Sequence, residues 1–226
     1  MKTVWITRAQ PGAEVTAARV RALGCEPVVA PLLAVRELPG ALLDLSDVGV
    51  LAFTSANGAR AFAGRSGERD LPVFAVGEGT AAAARAAGFS RVESAHGDVA
   101  ALATMIAARR LAGVVLHPGA VELAGDLAGR LTKAGVKART IAVYETIAQG
   151  PSVALLDRLE TLDAALVHSP RAARALAVQL AQTPAPALQI LCLSSQIAQG
   201  VVGAAHGGVA IATFPTETAL LSLLQV

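Results

Sequence analysis

The sequence predicts an α/β fold built twice: two Rossmann-like (flavodoxin-like) lobes with parallel sheets, joined by a two-stranded antiparallel linker. Three observations lead there. First, the chain repeats itself. Leu51 to Ala63 (LAFTSANGARAFA) realigns with Ala165 to Ala177 (ALVHSPRAARALA), Phe74 to Ala81 (FAVGEGTA) with Leu191 to Ala198 (LCLSSQIA), and His96 to Leu102 (HGDVAAL) with Pro215 to Leu221 (PTETALL). The copies stand about 115 residues apart, a domain-sized spacing. Second, short apolar runs alternate with helical stretches, the pattern of a parallel sheet covered on both faces. Third, two extended segments break that alternation, Leu32 to Leu38 (LLAVREL) and Ile141 to Ala148 (IAVYETIA), with no clear helix directly after either.

Taken in order, Val4 to Thr7 reads as a buried strand, because four apolar or β-branched residues follow one another without alternation. Pro11 and Gly12 turn the chain into a helix running to about Leu23, and Gly24 suits its C-terminal cap. Cys25 to Ala30 is the next strand. Val50 to Phe53 is another, with a helix through Ala63; Val73 to Val76 repeats the unit, its helix ending at Gly88. After the strand Val114 to Leu116, the leucines at 123, 127 and 131 mark one helix face, closed by Gly135. Further strands are expected at Ala164 to Val167, Ile190 to Leu193 and Val209 to Ala212.

The two irregular segments flank one whole copy of the unit. The simplest architecture inserts the second lobe into the first: residues 1–33 plus 149–226 form lobe one, 39–140 lobe two, and 34–38 with 141–148 the linker strands. Such a ribbon can act as a hinge, and two similar lobes leave a cleft of the kind that holds small molecules.

Composition narrows the function classes. Charged residues are 16%, mean hydropathy is +0.54 and the net charge is +2. That charge is too small for a nucleic-acid footprint, and 3% aromatics offer no stacking platform. No apolar run nears the ~18 residues of a membrane span. The opening MKTVWITR lacks the apolar core and cleavage site of a secretory signal, so a cytoplasmic protein is expected. Cys25 and Cys192 have no metal or disulfide spacing and read as buried thiols; the four histidines are scattered, so no metal site is expected. GEGTAAAARAAG lacks the G-x-G-x-x-G spacing of a dinucleotide loop, and neither a P-loop nor a G-x-S-x-G elbow is present.

In order along the chain come ITRAQPGAE (Ile6 to Glu14), a helix with a PLL turn, FTSANGAR (Phe53 to Arg60), AVGEGTA (Ala75 to Ala81) and VYET (Val143 to Thr146). Together they resemble the uroporphyrinogen-III synthase family over nearly the whole chain. The resemblance implies a cofactor-free lyase of tetrapyrrole (heme) biosynthesis. Its substrate would be the linear tetrapyrrole hydroxymethylbilane, which loses its terminal hydroxyl as water. The resulting azafulvene is attacked by the substituted carbon of the last ring; a spiro intermediate fragments and re-closes, inverting that ring. The substrate also cyclises unaided to the non-inverted isomer, so the protein's task is positioning with light acid catalysis. A monomer is implied, with a transient contact to hydroxymethylbilane synthase, no nucleic acid and no membrane. The alternative from another class is a non-catalytic tetrapyrrole-binding or sensor module on the same fold.

The resemblance also implies site residues. The VYET tyrosine, Tyr144, is the family's proposed donor to the departing hydroxyl; as an amphipathic strand residue it could equally anchor the ribbon. Arg8, just past the first strand, could meet a substrate carboxylate or form a surface ion pair. Thr54, Ser55 and Asn57, and Ser169 at the matching turn of lobe one, suit carboxylate oxygens but are also ordinary helix caps. Gly77, Gly79 and Thr80, with Ser194 and Ser195 opposite them in the repeat, would offer amides and hydroxyls to carboxylates. Two departures from the family pattern stand out. Ser194 and Ile197 replace a glycine and a threonine, and His117-Pro118 stands where an Arg-Gly pair is common.

Overall fold

A computed structural model describes residues 1–40, 43–109 and 111–225. The chain forms two compact units, Met1–Ala34 with Ile147–Val226 (lobe one) and Val35–Thr146 (lobe two). The elements follow as β1 Thr3–Ile6, α1 Gly12–Ala22, β2 Glu26–Val29, β3 Leu33–Glu37, β4 Val48–Phe53, α2 Ala56–Arg65, β5 Val73–Ala75, α3 Glu78–Ala86, β6 Val92–Ser94, α4 Val99–Ala107, β7 Val114–Ala120, α5 Leu127–Lys133 and β8 Ala138–Ala148. Then come α6 Val153–Leu156, β9 Ala164–Val167, α7 Pro170–Gln182, β10 Ala185–Cys192, α8 Ser195–Ala198, β11 His206–Ile211 and α9 Glu217–Ser222.

The sheet of lobe two runs β3-β8-β7-β4-β5-β6, that of lobe one β11-β10-β9-β1-β2. In lobe two, β4 to β8 are parallel to their neighbours in the order third, second, first, fourth, fifth, which is the Rossmann order of doubly wound sheets. Lobe one has the same order with the chain entering at the fourth strand: β1 and β2 are its fourth and fifth strands, β9 to β11 its first three. The repeat seen in the sequence is therefore a repeat of topology, offset by a circular permutation.

Burial on both faces explains the unbroken apolar runs. In β4, Leu51 and Phe53 pack with Ala59, Phe62 and Phe89 under α2 and α3, while Val50 and Ala52 pack with Leu102, Ile106, Leu127 and Leu131 under α4 and α5. Phe53, Phe62 and Phe89 form an aromatic trio with ring centroids 5.8 to 6.2 Å apart. In β1, Trp5 faces α7 while Val4 and Ile6 face α1 and α9. Each fully buried aliphatic or aromatic side chain contributes about 1.5–3 kcal/mol.

Several details differ from the expectation. The longer linker strand also extends a sheet. β8 starts at Ala138 and pairs in parallel with β7 as far as Tyr144, so its first half belongs to the sheet of lobe two. On its other edge, Leu38 N donates to Val143 O and Gln149 N to Leu32 O, which sets β3 antiparallel to it. Leu123 is not on the leucine face of α5: it is 41% exposed and precedes the helix, because Asp126 caps the first turn by accepting from Gly129 N at 2.8 Å. Cys192 is buried, its thiol pushed up to about 11 by burial, whereas Cys25 is half-buried. The short β6 and the helix α4 that follows were not assigned from sequence. Gly24 and Gly135 do end their helices with φ of +75° and +79°.

One glycine fixes the site-bearing turn of lobe two. A Cβ on Gly58 of α2 would lie 2.5 Å from the carbonyl oxygen of Pro118, a backbone atom of β7. Its repeat partner, Ala172, tolerates a methyl group. Gly58→Ala should therefore destabilise the protein by about 1–3 kcal/mol through overpacking, read as a lower urea midpoint.

Candidate active site

In open parallel sheets ligands meet the carboxyl ends of the strands where the strand order reverses. That point lies between β9 and β1 in lobe one, and between β4 and β7 in lobe two. Of the residues singled out from the sequence, Arg8 and Ser169 lie at the first of these points, and Thr54, Ser55 and Asn57 at the second. Cavities within each lobe lie elsewhere: one of about 540 Å³ is lined by Lys2, Asp163 and Gln189, another of about 630 Å³ by Asp47, Gly113 and Lys137, all near the strands' N-terminal ends.

On the edge of lobe one, Arg8 follows β1 and His168 and Ser169 follow β9. Arg8 folds back over Gly12 of α1, and its Nη1 lies 3.4 Å from Glu217 Oε2 at the start of α9. The same carboxylate accepts from Thr16 Oγ1 at 2.6 Å and faces His168 Nε2 at 2.9 Å. Thr16 is fully buried and the His168 side chain is 9% exposed. Burial raises the Glu217 carboxyl, but the hydrogen bonds from His168 and Thr16 and the nearness of His168 and Arg8 outweigh it and bring it down to about 2. Glu217, His168 and Thr16 were missed in the sequence as a unit. The one signal was alignment, since Glu217 stands opposite Asp98 and His168 opposite Thr54 in the repeat. Ser169 caps α7, accepting from Ala172 N at 3.1 Å.

On the edge of lobe two, Ser55 caps α2, accepting from Asn57 N at 3.1 Å, and Asn57 Oδ1 accepts from Arg60 Nη2 at 2.7 Å. Thr54 Oγ1 lies 2.9 Å from His117 Nε2, and His117 Nδ1 lies 3.3 Å from Thr140 Oγ1. His117 is 1% exposed; burial pulls its pKa down to about 4 against the opposing pull of Asp126, so the ring is neutral at pH 7. Tyr144 belongs to the last residue pair of β8 with β7, opposite Ala120. Its ring packs against Ala61 and Val143 and is 7% exposed, and its hydroxyl has no hydrogen-bond partner among the described residues.

The second strand of each sheet ends in a different way. Gly77 precedes α3 and Ser194 precedes α8 in extended conformation, and neither gives a side-chain cap. The first amides of both helices are thus left for water or a ligand. A Cβ on Gly77 or Gly79 would meet nothing within 4 Å, so the approach is open, with Thr80 buried beneath. In lobe one the corresponding Ile197 is core, 4% exposed. Among the described residues no three His, Cys, Asp or Glu side chains converge in a way that could hold a metal ion, and no helix is long and apolar enough to cross a membrane.

Comparison with known proteins decides the family. The family model for uroporphyrinogen-III synthase (HemD) matches residues 14–222. The chain belongs to that family. Its members cyclise hydroxymethylbilane and are lyases. The fold agrees with solved structures of uroporphyrinogen-III synthetase from Helicobacter pylori 26695 (TM-score 0.68, 16% identity, 100% of this chain and 99% of that one). It also agrees with a mutant uroporphyrinogen III synthase from the extremely thermophilic bacterium Thermus thermophilus (TM-score 0.52, 17% identity, 100% and 98%). No curated protein matches the sequence significantly.

The ionised cluster of lobe one and the neutral imidazole of lobe two have one consequence in common: acid lowers the stability of both. The Glu217 carboxyl titrates below its ordinary value, so its contribution is full above about pH 4.5 and is lost as pH falls towards 2. His117 binds its proton more weakly folded than unfolded, so protonation of the unfolded chain draws stability away as pH falls from 6.5 towards 4. Each shift corresponds to about 3 kcal/mol at most. Urea unfolding across pH 2 to 7 should show Glu217→Gln flattening the limb below pH 4.5 and His117→Gln the limb between 6.5 and 4. Parallel limbs in wild type and both variants would refute the assignment.

Proposed function

We propose that this chain turns hydroxymethylbilane into uroporphyrinogen III at the carboxyl ends of its parallel strands. Tyr144 donates a hydrogen bond to the terminal hydroxyl as it leaves as water. The azafulvene that remains is held so that the substituted carbon of the last ring attacks it. The spiro intermediate then fragments and re-closes with that ring inverted. The single observation that carries the reading is the state of Tyr144: a buried ring at the last pair of β8 with β7, whose hydroxyl reaches the surface with no hydrogen-bond partner among the described residues.

The substrate's carboxylates need donors. The open amides at the head of α3, at Gly77 and Gly79, and at the head of α8, at Ser194 and Ser195, supply them. Capping does not disqualify Ser55 or Ser169, because each oxygen accepts from an amide while its own O–H stays free to donate. The side-chain amide of Asn57 likewise keeps its N–H groups, since Arg60 takes the oxygen. Thr54 and Thr80 add hydroxyls, and Arg8, with a side chain 37% exposed, keeps guanidinium N–H groups beyond its bond to Glu217. The chain is taken to work as a cytoplasmic monomer. The substrate's spontaneous closure favours a transient contact with hydroxymethylbilane synthase, which shortens its time in water.

The test is a coupled assay in which a deaminase makes hydroxymethylbilane from porphobilinogen, with the oxidised porphyrins separated by isomer. Predominantly type III product is expected. Tyr144→Phe should lower kcat about 100-fold, the low end for loss of an acid catalyst, with the urea midpoint little changed. Type I product alone from folded wild-type protein would instead favour a tetrapyrrole-binding module, and an unaltered kcat in the Phe variant would remove Tyr144 from the mechanism.

A further inference from the structure

We infer that His117 is a positioning residue for the cyclisation: it holds the Thr54 hydroxyl as a hydrogen-bond donor aimed at a substrate carboxylate. The inference rests on the reading of the lobe-two edge as a substrate-binding edge and adds to it a residue, a tautomer and a polarity.

The geometry leaves few options. His117 is sealed within β7, with Thr54 Oγ1 at 2.9 Å from Nε2 and Thr140 Oγ1 at 3.3 Å from Nδ1. Gly119 leaves room for the ring, since a Cβ there would come within 3.2 Å of Cε1. Asp126 is the charged group that acts on it, and burial outweighs that carboxylate, so the ring is neutral near pH 7. A neutral imidazole has one N–H and one bare nitrogen. With the proton on Nδ1, the ring donates to Thr140 and draws in the Thr54 O–H, leaving Thr54 with lone pairs alone to show a ligand. With the proton on Nε2, the ring donates to Thr54, and the Thr54 O–H is released to point outward.

A carboxylate is acceptor-only, so it binds the second arrangement and is repelled by the first. The protein can hold that arrangement at little cost. Thr140 is exposed, so its hydroxyl can turn to donate to Nδ1 while water satisfies its oxygen. The result is a chain of donors from Thr140 through His117 to Thr54, each bond polarising the next towards the ligand. A neutral ring thereby does by orientation what a cation at this position would do by charge.

The experiment combines the isomer-resolved coupled assay with a double-mutant cycle and ¹⁵N NMR of histidine-labelled protein. His117→Leu should raise KM about tenfold with kcat nearly constant, the scale of one hydrogen bond to a charged group. His117→Gln, whose amide N–H can reach Thr54, should recover most of that loss. On a Thr54→Val background the His117→Leu change should cost no further factor. The ¹⁵N shifts, with His117 assigned by its loss in the Gln variant, should report the Nε2–H form, and kcat/KM should not titrate between pH 6 and 8 with His117. An Nδ1–H tautomer, or an equal loss with and without the Thr54 hydroxyl, overturns the inference while type III activity stands. Type I product from the wild type would instead remove the reading beneath it.

Discussion

The central constraint is that the first and fourth strands of each sheet are covered on both faces. Val4, Trp5 and Ile6 of β1, Ala165 to Val167 of β9, and Leu51 to Phe53 of β4 are fully buried. Such strands have no solvent face on which to display a functional group. Chemistry can emerge only where they end, and their order decides where neighbouring ends diverge. This is why residues far apart in sequence share an edge: Arg8 and His168 flank one reversal, Thr54 and His117 the other. The helices packed on either face deliver the rest, Thr16 from α1, Glu217 from α9 and Ser55 from the head of α2.

From one duplicated unit the two edges have taken separate electrostatic routes. Lobe one gathers ionisable groups, with a half-buried carboxylate satisfied by a hydroxyl, an imidazole and a guanidinium. A carboxylate with three donors is well compensated, which makes the cluster a clamp joining α9, α1 and the ends of β1 and β9. Lobe two places a neutral imidazole between two hydroxyls. Uncharged, it can be wholly buried without the desolvation cost of an ion, and its influence is directional. The histidine lies on the first strand's end in lobe one and on the fourth strand in lobe two, so the two arrangements are not copies of one ancestral contact.

Elements with strong local signals could be read from the chain. β9 is where the apolar run Ala164 to Val167 placed it, and the glycine caps at 24 and 135 follow from a backbone conformation that glycine adopts freely. What failed had no local signal. Leu123 fits the leucine spacing, but an Asp126 side chain starts the helix later, and capping geometry is invisible to periodicity. The 138–140 stretch looks polar and loop-like (Ala-Arg-Thr), yet it pairs with β7 because a neighbouring strand needs its hydrogen bonds. Glu217 carried the least warning: its partners come from residues 8, 16 and 168, and no window of sequence contains all four. The repeat showed which turns correspond, while the third-dimension partners of each turn stayed hidden.

The departures from the family pattern fall into place on this footing. Ile197 stands where a hydroxyl would be expected, and it is a core residue packed beneath α7, in a helix of four residues. Methyl groups there contribute to the core of lobe one what a threonine would have offered to a ligand. The matching turn in lobe two kept Thr80 and two glycines with open space above them. His117 stands where the resemblance implies a cation, and it lies against the Thr54 hydroxyl. On the proposed reading, losses of charge and of one hydroxyl are answered by orientation and by unblocked amides. Hydrogen bonds of that kind hold an anion by geometry more than by net charge, which suits a substrate whose fold, and not merely its capture, decides the product.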